Sequence, residues 1–262
     1  MRLRGYADDV PKPMVPIGTR PILWHLMKYY AHFGHKDFLL CLGHKGNSIK
    51  DYFLHYDESV SNDFVWSQGG KKIHFLNRDI DDWTITFVET GANACIGERL
   101  KAVEPYLKDE ELFLAKYGDG LSDLPLPAVL ETFRQSGAIA SMVLVQPTAS
   151  FDIVTAGPEG VVTDVRASSN SDIWINGGFF AFRNEIFNHI RPGEELVREP
   201  FQRLIAKKAL LAHKYTGFWQ CMDTFKDKQC LEELNQTTAP WKVWNHVSAA
   251  PSNGSKVISA SA

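Results

Sequence analysis

Lys12 lies between two prolines in Val10-Pro11-Lys12-Pro13-Met14-Val15-Pro16-Ile17-Gly18. Pro13 disfavours helical backbone at Lys12 and neither proline offers a backbone donor, so the spacing predicts an extended segment carrying a cation on a stiff stalk. Such a lysine suits an anionic ligand; the plainer alternative is a surface loop ahead of the helix opened by Pro21. Asp119 stands between glycines in Tyr117-Gly118-Asp119-Gly120, which leave its carboxylate unshielded. With a second carboxylate it could hold Mg²⁺, a hard cation that prefers oxygen ligands; it could equally be a turn aspartate. Asp223, in Gln220-Cys221-Met222-Asp223-Thr224, is the candidate partner, and a helix N-cap is its competing role. Arg99 opens a glycine-led helix at Ile96-Gly97-Glu98-Arg99, where an arginine opposes the dipole. It answers either to a ligand or to Glu98 and Glu104.

The elements needed to position these groups follow βαβ grammar. Ile22, Leu23, Leu26, Met27, Tyr30 and Phe33 form a helical stripe that Gly34 ends. Phe38 to Leu42 is apolar on both faces, as suits a strand covered by helices on each side. Short strands are expected at 72–75 and 83–88, a helix around 99–107, and a strand at 112–116 that places Asp119 at its carboxyl end. In open α/β sheets ligands bind at that end. A helix at 126–133, a strand at 139–145, a hairpin over 151–165 and a strand at 173–182 follow. The last is interrupted by Gly177-Gly178, a mark of close approach by a ligand or another backbone. A helix around 195–207, a strand at 210–215 and a helix at 225–234 complete one domain spanning 1–245. Ser, Ala, Asn and Gly dominate 246–262, which is expected to be a disordered tail without a packing role.

Composition narrows the function. The 262 residues are 44% hydrophobic and 23% charged, with a net charge of -3. That balance gives no basic footprint for a nucleic acid partner. No apolar run approaches membrane-spanning length and Met1-Arg2-Leu3-Arg4 does not open a signal peptide. Cys41, Cys95, Cys221 and Cys230 lack CxxC spacing, which points to reduced thiols and a cytoplasmic location. No HExxH, HxxxH or GxSxG pattern supports zinc or nucleophile chemistry.

Together Pro11-Lys12-Pro13-Met14-Val15, Pro21-Ile22-Leu23-Trp24-His25, Tyr117-Gly118-Asp119-Gly120, Ile175-Asn176-Gly177-Gly178-Phe179-Phe180, Gly217-Phe218-Trp219-Gln220 and Met222-Asp223-Thr224 resemble, in order, the motifs of glucose-1-phosphate cytidylyltransferases. Ala239-Pro240-Trp241-Lys242-Val243-Trp244 is also similar to their ending, so the resemblance runs from Arg2 to about Trp244. It implies a Rossmann-like α/β nucleotidyltransferase fold with a mixed, mainly parallel sheet flanked by helices. It implies nucleotide-sugar biosynthesis: CTP and α-D-glucose 1-phosphate giving CDP-glucose and pyrophosphate, with Mg²⁺ and a homo-oligomeric enzyme. Carried over by position, Lys12 contacts the phosphates, Asp119 and Asp223 hold Mg²⁺, Asn176, Gly177 and Trp219 line the sugar pocket, and Arg99 lies near the cytosine.

Two departures from the family pattern fall on phosphate handling. Members begin with a strand leading into a GGxGTRL loop, whereas Met1-Arg2-Leu3 corresponds to the end of that motif. Arg2 is kept, and the expected sheet lacks its usual first strand, leaving an exposed sheet position. Members also carry Glu-Lys-Pro before the NGGFF strand, its lysine binding the sugar phosphate; here Val165-Arg166-Ala167-Ser168 occupies the region. Arg166 is the candidate substitute cation, although an arginine fork does not reproduce a lysine. The alternatives are a transferase for another nucleotide or sugar 1-phosphate, or a non-catalytic relative.

Overall fold

A computed structural model describes residues 10–148, 152–168, 172–245 and 256–260. Among them the principal sheet has seven strands, here β1 Asp37–Leu42, β2 Thr84–Glu89, β3 Leu112–Tyr117, β4 Ala140–Val145, β5 Ile175–Arg183, β6 Leu210–Tyr215 and β7 Val257–Ala260. Their order across the sheet is β6-β4-β5-β3-β7-β1-β2. β5 runs antiparallel to both neighbours and every other pairing is parallel. The architecture is therefore the mixed, mainly parallel α/β sheet that the sequence implies.

Six α-helices are described: α1 Ile22–His32, α2 Gly46–Leu54, α3 Ile96–Ala102, α4 Leu126–Ser136, α5 Glu199–Ala206 and α6 Phe225–Gln236. β1 shows why helices cover both faces of the sheet. Phe38, Leu40 and Leu42 enter one hydrophobic core with α1 and α4, while Leu39 and Cys41 enter the other with α3 and α5. Alternate side chains of a strand point to opposite faces, so a continuously apolar run needs two covers. Gly34, at φ 89, takes the left-handed conformation just past α1 and closes that helix where the periodicity ends.

The carboxyl-terminal residues require a correction. Val257–Ala260 is a central strand rather than part of an unpacked tail: it pairs with β3 through Val257↔Leu114 and with β1 through Val257↔Phe38. Val257 and Ile258 are buried in opposite cores. Backbone pairing on both sides and an apolar pair alternating between the two faces outweigh the polar composition of the segment. The sheet position expected to lie open between neighbouring strands is thereby filled among the described residues. Residues 246–255 and 261–262, the remainder of the expected tail, lie outside the described residues.

Candidate active site

The site forms at the carboxyl end of β3. After Tyr117 the chain turns through Gly118 and Asp119 and continues as a short strand, Gly120–Ser122. That strand pairs antiparallel with Trp219–Cys221, and the Met222 amide donates to the Asp119 carbonyl at 2.8 Å. This backbone tie sets Asp119 and Asp223 beside each other. Lys12 arrives from a third segment: its Nζ donates to Asp223 Oδ1 at 2.6 Å and lies 3.7 Å from Asp119 Oδ2.

Local structure explains how each group reaches this point. Lys12–Met14 is one turn of 3₁₀ helix, correcting the extended segment expected there; Met14 and Val15 amides donate to the Pro11 and Lys12 carbonyls at 2.8 and 3.1 Å. Those bonds overcome the preference of a residue before proline for extended backbone, and Pro13 is tolerated in a first turn. Pro13 is buried, so the stalk remains anchored beneath an accessible ammonium. Asp223 is released from the capping role, because Thr224 is the N-cap of α6. The Thr224 hydroxyl oxygen accepts from the Asp227 amide at 3.2 Å, and the Asp227 carboxylate accepts from the Thr224 amide at 2.8 Å.

Electrostatics keep the lysine charged. Burial alone would lower the Lys12 pKa; the Asp223 hydrogen bond and the charges of Asp119 and Asp223 outweigh it, and the pKa is raised. The Cys221 pKa is raised as well, its thiol pushed up to about 12 by burial and then by the Asp223 charge. It is accordingly a neutral wall residue. The two carboxylates offer hard oxygen donors on either side of one ammonium, and both remain accessible. This donor chemistry fits Mg²⁺, whose shell would be completed by phosphate oxygens and water. Among the described residues no group of three or more His, Cys, Asp or Glu side chains could form an all-protein metal cage.

The wall beside these groups comes from β5, whose register against β4 shifts between Asn176 and Phe180. The Gly177 carbonyl accepts from Trp219 Nε1 at 2.9 Å, which fixes the indole against the bulge. Asn176 Oδ1 accepts from the Gly178 amide at 2.8 Å, and its Nδ2 donates to Tyr117 Oη at 3.4 Å. Gly178 has φ 72, a conformation suited to glycine. Asn176, Gly177 and Trp219 therefore form one hydrogen-bonded unit.

Arg99 occupies a different place, buried beside the end of β1. A Cβ at Gly43 would fall 2.4 Å from either terminal nitrogen of its guanidinium. Nη1 donates to Thr90 Oγ1 at 2.9 Å, and Nε is buried without a hydrogen-bond partner. Neither nearby acid accounts for Arg99: Glu98 accepts from the Cys95 amide, and Glu104 pairs with Lys101. Arg166 stands on the Asp152–Ala156 and Val162–Ala167 hairpin, exposed and 3.6 Å from Asp164. No hydrogen bond or ion pair described here links it to Lys12, Asp119 or Asp223. Arg2 lies outside the described residues.

One residue of the site was missed in the sequence. Lys116, on β3, is only 2% exposed, with Nζ 3.4 Å from the Gly177 carbonyl and 4.1 Å from the Phe179 ring centroid. A lysine directly after the apolar run Leu112-Phe113-Leu114-Ala115, within the strand expected at 112–116, was the available signal.

No protein-family model matches the chain. A glucose-1-phosphate cytidylyltransferase of Salmonella typhimurium is 37% identical over 236 residues, covering 89% of this chain and 91% of that protein. A probable glucose-1-phosphate cytidylyltransferase of Bacillus subtilis is 33% identical over 246 residues, covering 93% and 95%. Among solved structures, HddC from Yersinia pseudotuberculosis superposes with a TM-score of 0.61 at 17% identity, covering 89% of this chain and 93% of that one. The last likeness concerns the fold; the first two, spanning nearly the whole of both partners, carry the ancestry. By that identity and coverage the chain belongs to the glucose-1-phosphate cytidylyltransferase family.

Proposed function

We propose that this chain transfers the cytidylyl group of CTP to α-D-glucose 1-phosphate, releasing pyrophosphate and forming CDP-glucose. The observation that carries the reading is the meeting of Lys12, Asp119 and Asp223 at one point in a chain with 37% identity to a glucose-1-phosphate cytidylyltransferase. In this reaction a phosphate oxygen of the sugar attacks the α-phosphorus of CTP. The bond between that phosphorus and its β-bridging oxygen breaks, and pyrophosphate leaves with the electron pair. No enzyme side chain forms a bond to phosphorus, so catalysis rests on positioning and charge neutralisation.

Lys12 supplies a fixed positive charge to the triphosphate. Asp119 and Asp223 would hold Mg²⁺, which when bound neutralises phosphate charge and orients the leaving group. The Asn176–Gly177–Trp219 unit offers amide, carbonyl and indole surface to the sugar, and Arg99 serves the side of the cleft assigned to the base. Arg2 is retained in this reading as a phosphate contact, and Arg166 as a cation that the hairpin could bring to the sugar phosphate. Self-association belongs to the same reading. It is supported by exposed Phe64, Val65, Trp66 and Ile73 on the two-stranded arm of Phe64–Ser67 and Lys72–Phe75. Among the described residues no helix is long and apolar enough to cross a membrane.

The test is pyrophosphate release from CTP and glucose 1-phosphate with Mg²⁺, against UTP, dTTP and other sugar 1-phosphates. CDP-glucose formation dependent on CTP supports the proposal. Preference for another pair shifts the substrate assignment, and no turnover with any pair removes the catalytic reading.

A further inference from the structure

Lys116 is a buried charge with little to hold it. An ammonium has three donors, and taking it out of water costs several kcal/mol unless partners replace the lost hydration. Here Nζ meets the Gly177 carbonyl at 3.4 Å, a long bond to an acceptor already engaged by Trp219 Nε1 at 2.9 Å. The Phe179 ring face at 4.1 Å adds a cation–π contact, and the Asp119 charge acts at longer range. A residue needed only for packing would more cheaply be methionine or leucine.

Its surroundings indicate which direction the charge serves. A Cβ on Gly120 would come 2.9 Å from Nζ, and one on Gly178 would come 3.3 Å from it. The ammonium thus fits a slot walled by the backbone of Gly120, Gly177 and Gly178, with no side chain from these residues to screen it. The same Gly177 belongs to the Asn176–Trp219 unit. A positive charge behind a thin, low-dielectric wall attracts an anion resting against the other side.

We propose that Lys116 is the positioning residue of the sugar-phosphate wall, its ammonium acting through the glycine backbone at 120, 177 and 178 on the anionic group of a sugar 1-phosphate. The inference rests on the substrate reading above and assigns to β3 a charge for the sugar phosphate separate from Arg166, which stands on the hairpin 3.6 Å from Asp164. Lys116 acts through the wall and touches no reacting atom.

Titration gives a readout that packing alone would not. Burial lowers the Lys116 pKa to about 8 against the opposing charge of Asp119, on the turn after β3, while Cys221, on the facing short strand, is a neutral thiol at that pH. β5 presents the uncharged Gly177 carbonyl and Phe179 ring. The raised Lys12 pKa and a Cys221 pKa of about 12 leave both groups in one state between pH 7 and 9. A phosphate monoester is largely dianionic across that range, its second pKa being about 6.

The experiment is calorimetric titration of the full chain with glucose 1-phosphate in the absence of nucleotide, at pH 7 and pH 9, for the unchanged protein and for Lys116→Met. The unchanged protein should lose about tenfold in affinity between the two pH values, following the fraction of charged Lys116. Lys116→Met should show that weaker affinity at both pH values, CTP affinity within twofold of the original, and an unchanged or higher melting temperature. Failure of the unchanged protein to bind glucose 1-phosphate, a flat pH profile, a variant equal to it, or an equal loss of CTP affinity would each overturn the inference. If the variant does not fold, the pH profile of the unchanged protein decides. Lys116-dependent binding without CDP-glucose synthesis would defeat the catalytic reading alone; synthesis with Lys116-independent binding would defeat this one alone.

Discussion

Lys12 Nζ and Asp223 Oδ1 are 2.6 Å apart although 211 positions separate the two residues in the chain. The pair joins a short turn before α1 to the residue preceding the N-cap of α6, and Asp119 approaches the same ammonium from the turn after β3. Both acids are accessible, and so is the lysine between them. A solvent-exposed ion pair contributes little to stability, which accords with the ligand-binding role proposed for this arrangement.

Asp223→Ala should remove Mg²⁺-dependent turnover by at least about a hundredfold, as expected for a lost phosphate-site ligand. Its stability should remain within about 0.5 kcal/mol of the original, because the helix cap is Thr224. Thr224→Ala should do the reverse, costing about 1 kcal/mol in urea denaturation while leaving the ammonium site intact. Equal destabilisation by the two changes would return Asp223 to a structural role.

Lys12→Met should lower kcat/KM by about 10²–10³, the scale of one lost charge on the transferring phosphates. The raised pKa fixes the sign of the pH dependence: the charge is present below the ordinary lysine value of 10.5 and is lost only as pH rises through the still higher folded value. An activity profile from pH 6 to 9 should therefore contain no step from Lys12. A basic limb in that range that vanishes in Lys12→Met would contradict this.

His25 predicts an acid-sensitive fold. Its ring is 3% exposed, hydrogen-bonded to the Ile17 carbonyl at 2.9 Å, and burial depresses its pKa to about 4. The unfolded chain binds a proton below about pH 6.5 that the folded chain refuses until about pH 4. Stability supplied by neutral His25 is complete above pH 6.5 and falls through that window by up to about 1.4 kcal/mol per pH unit. Urea midpoints measured from pH 7.5 to 4.5 should show this slope, and His25→Gln should flatten it.

Ile258→Asp places a carboxylate among Leu39, Cys41, Phe113 and Ala115 in the second core. It should destabilise by at least about 3 kcal/mol, since an unpaired charge is buried and apolar contact is lost. Thermal unfolding followed by circular dichroism measures the effect, with Ser259→Ala as a mild control. A melting temperature unchanged in Ile258→Asp would show that β7 does not belong to the cooperative core.

The sequence and the structure agree where signals are local and long. The α1 stripe and the doubly apolar β1 run each specify an element without reference to the rest of the chain. Lys12 and Asp119 were singled out by their flanking prolines and glycines, whereas the local signal at Asp223 pointed to a helix cap and only the family resemblance marked it for the site. Their convergence depends on the pairing of Gly120–Ser122 with Trp219–Cys221, a contact between distant segments that no window contains. β7 was missed for a related reason: four residues, Val257-Ile258-Ser259-Ala260, are too few to show a period, and their partners are supplied by β1 and β3. Lys116 was visible as an anomaly, yet its meaning came only from Gly177 and Gly178, brought beside it by β5.

The position of β7 also bears on the timing of synthesis. Among the described residues β1 and β2 form one hydrogen-bonded part of the sheet, β3 with β5, β4 and β6 the other, and Val257–Ala260 alone bridges them. That seam cannot close until Val257–Ala260 has been made, after the other six strands of the sheet, so the nascent chain carries two unjoined sheet edges until then. Unpaired edges are where newly made chains associate wrongly. The yield of folded protein should accordingly depend on chaperone capacity during translation more than on the stability of the finished domain.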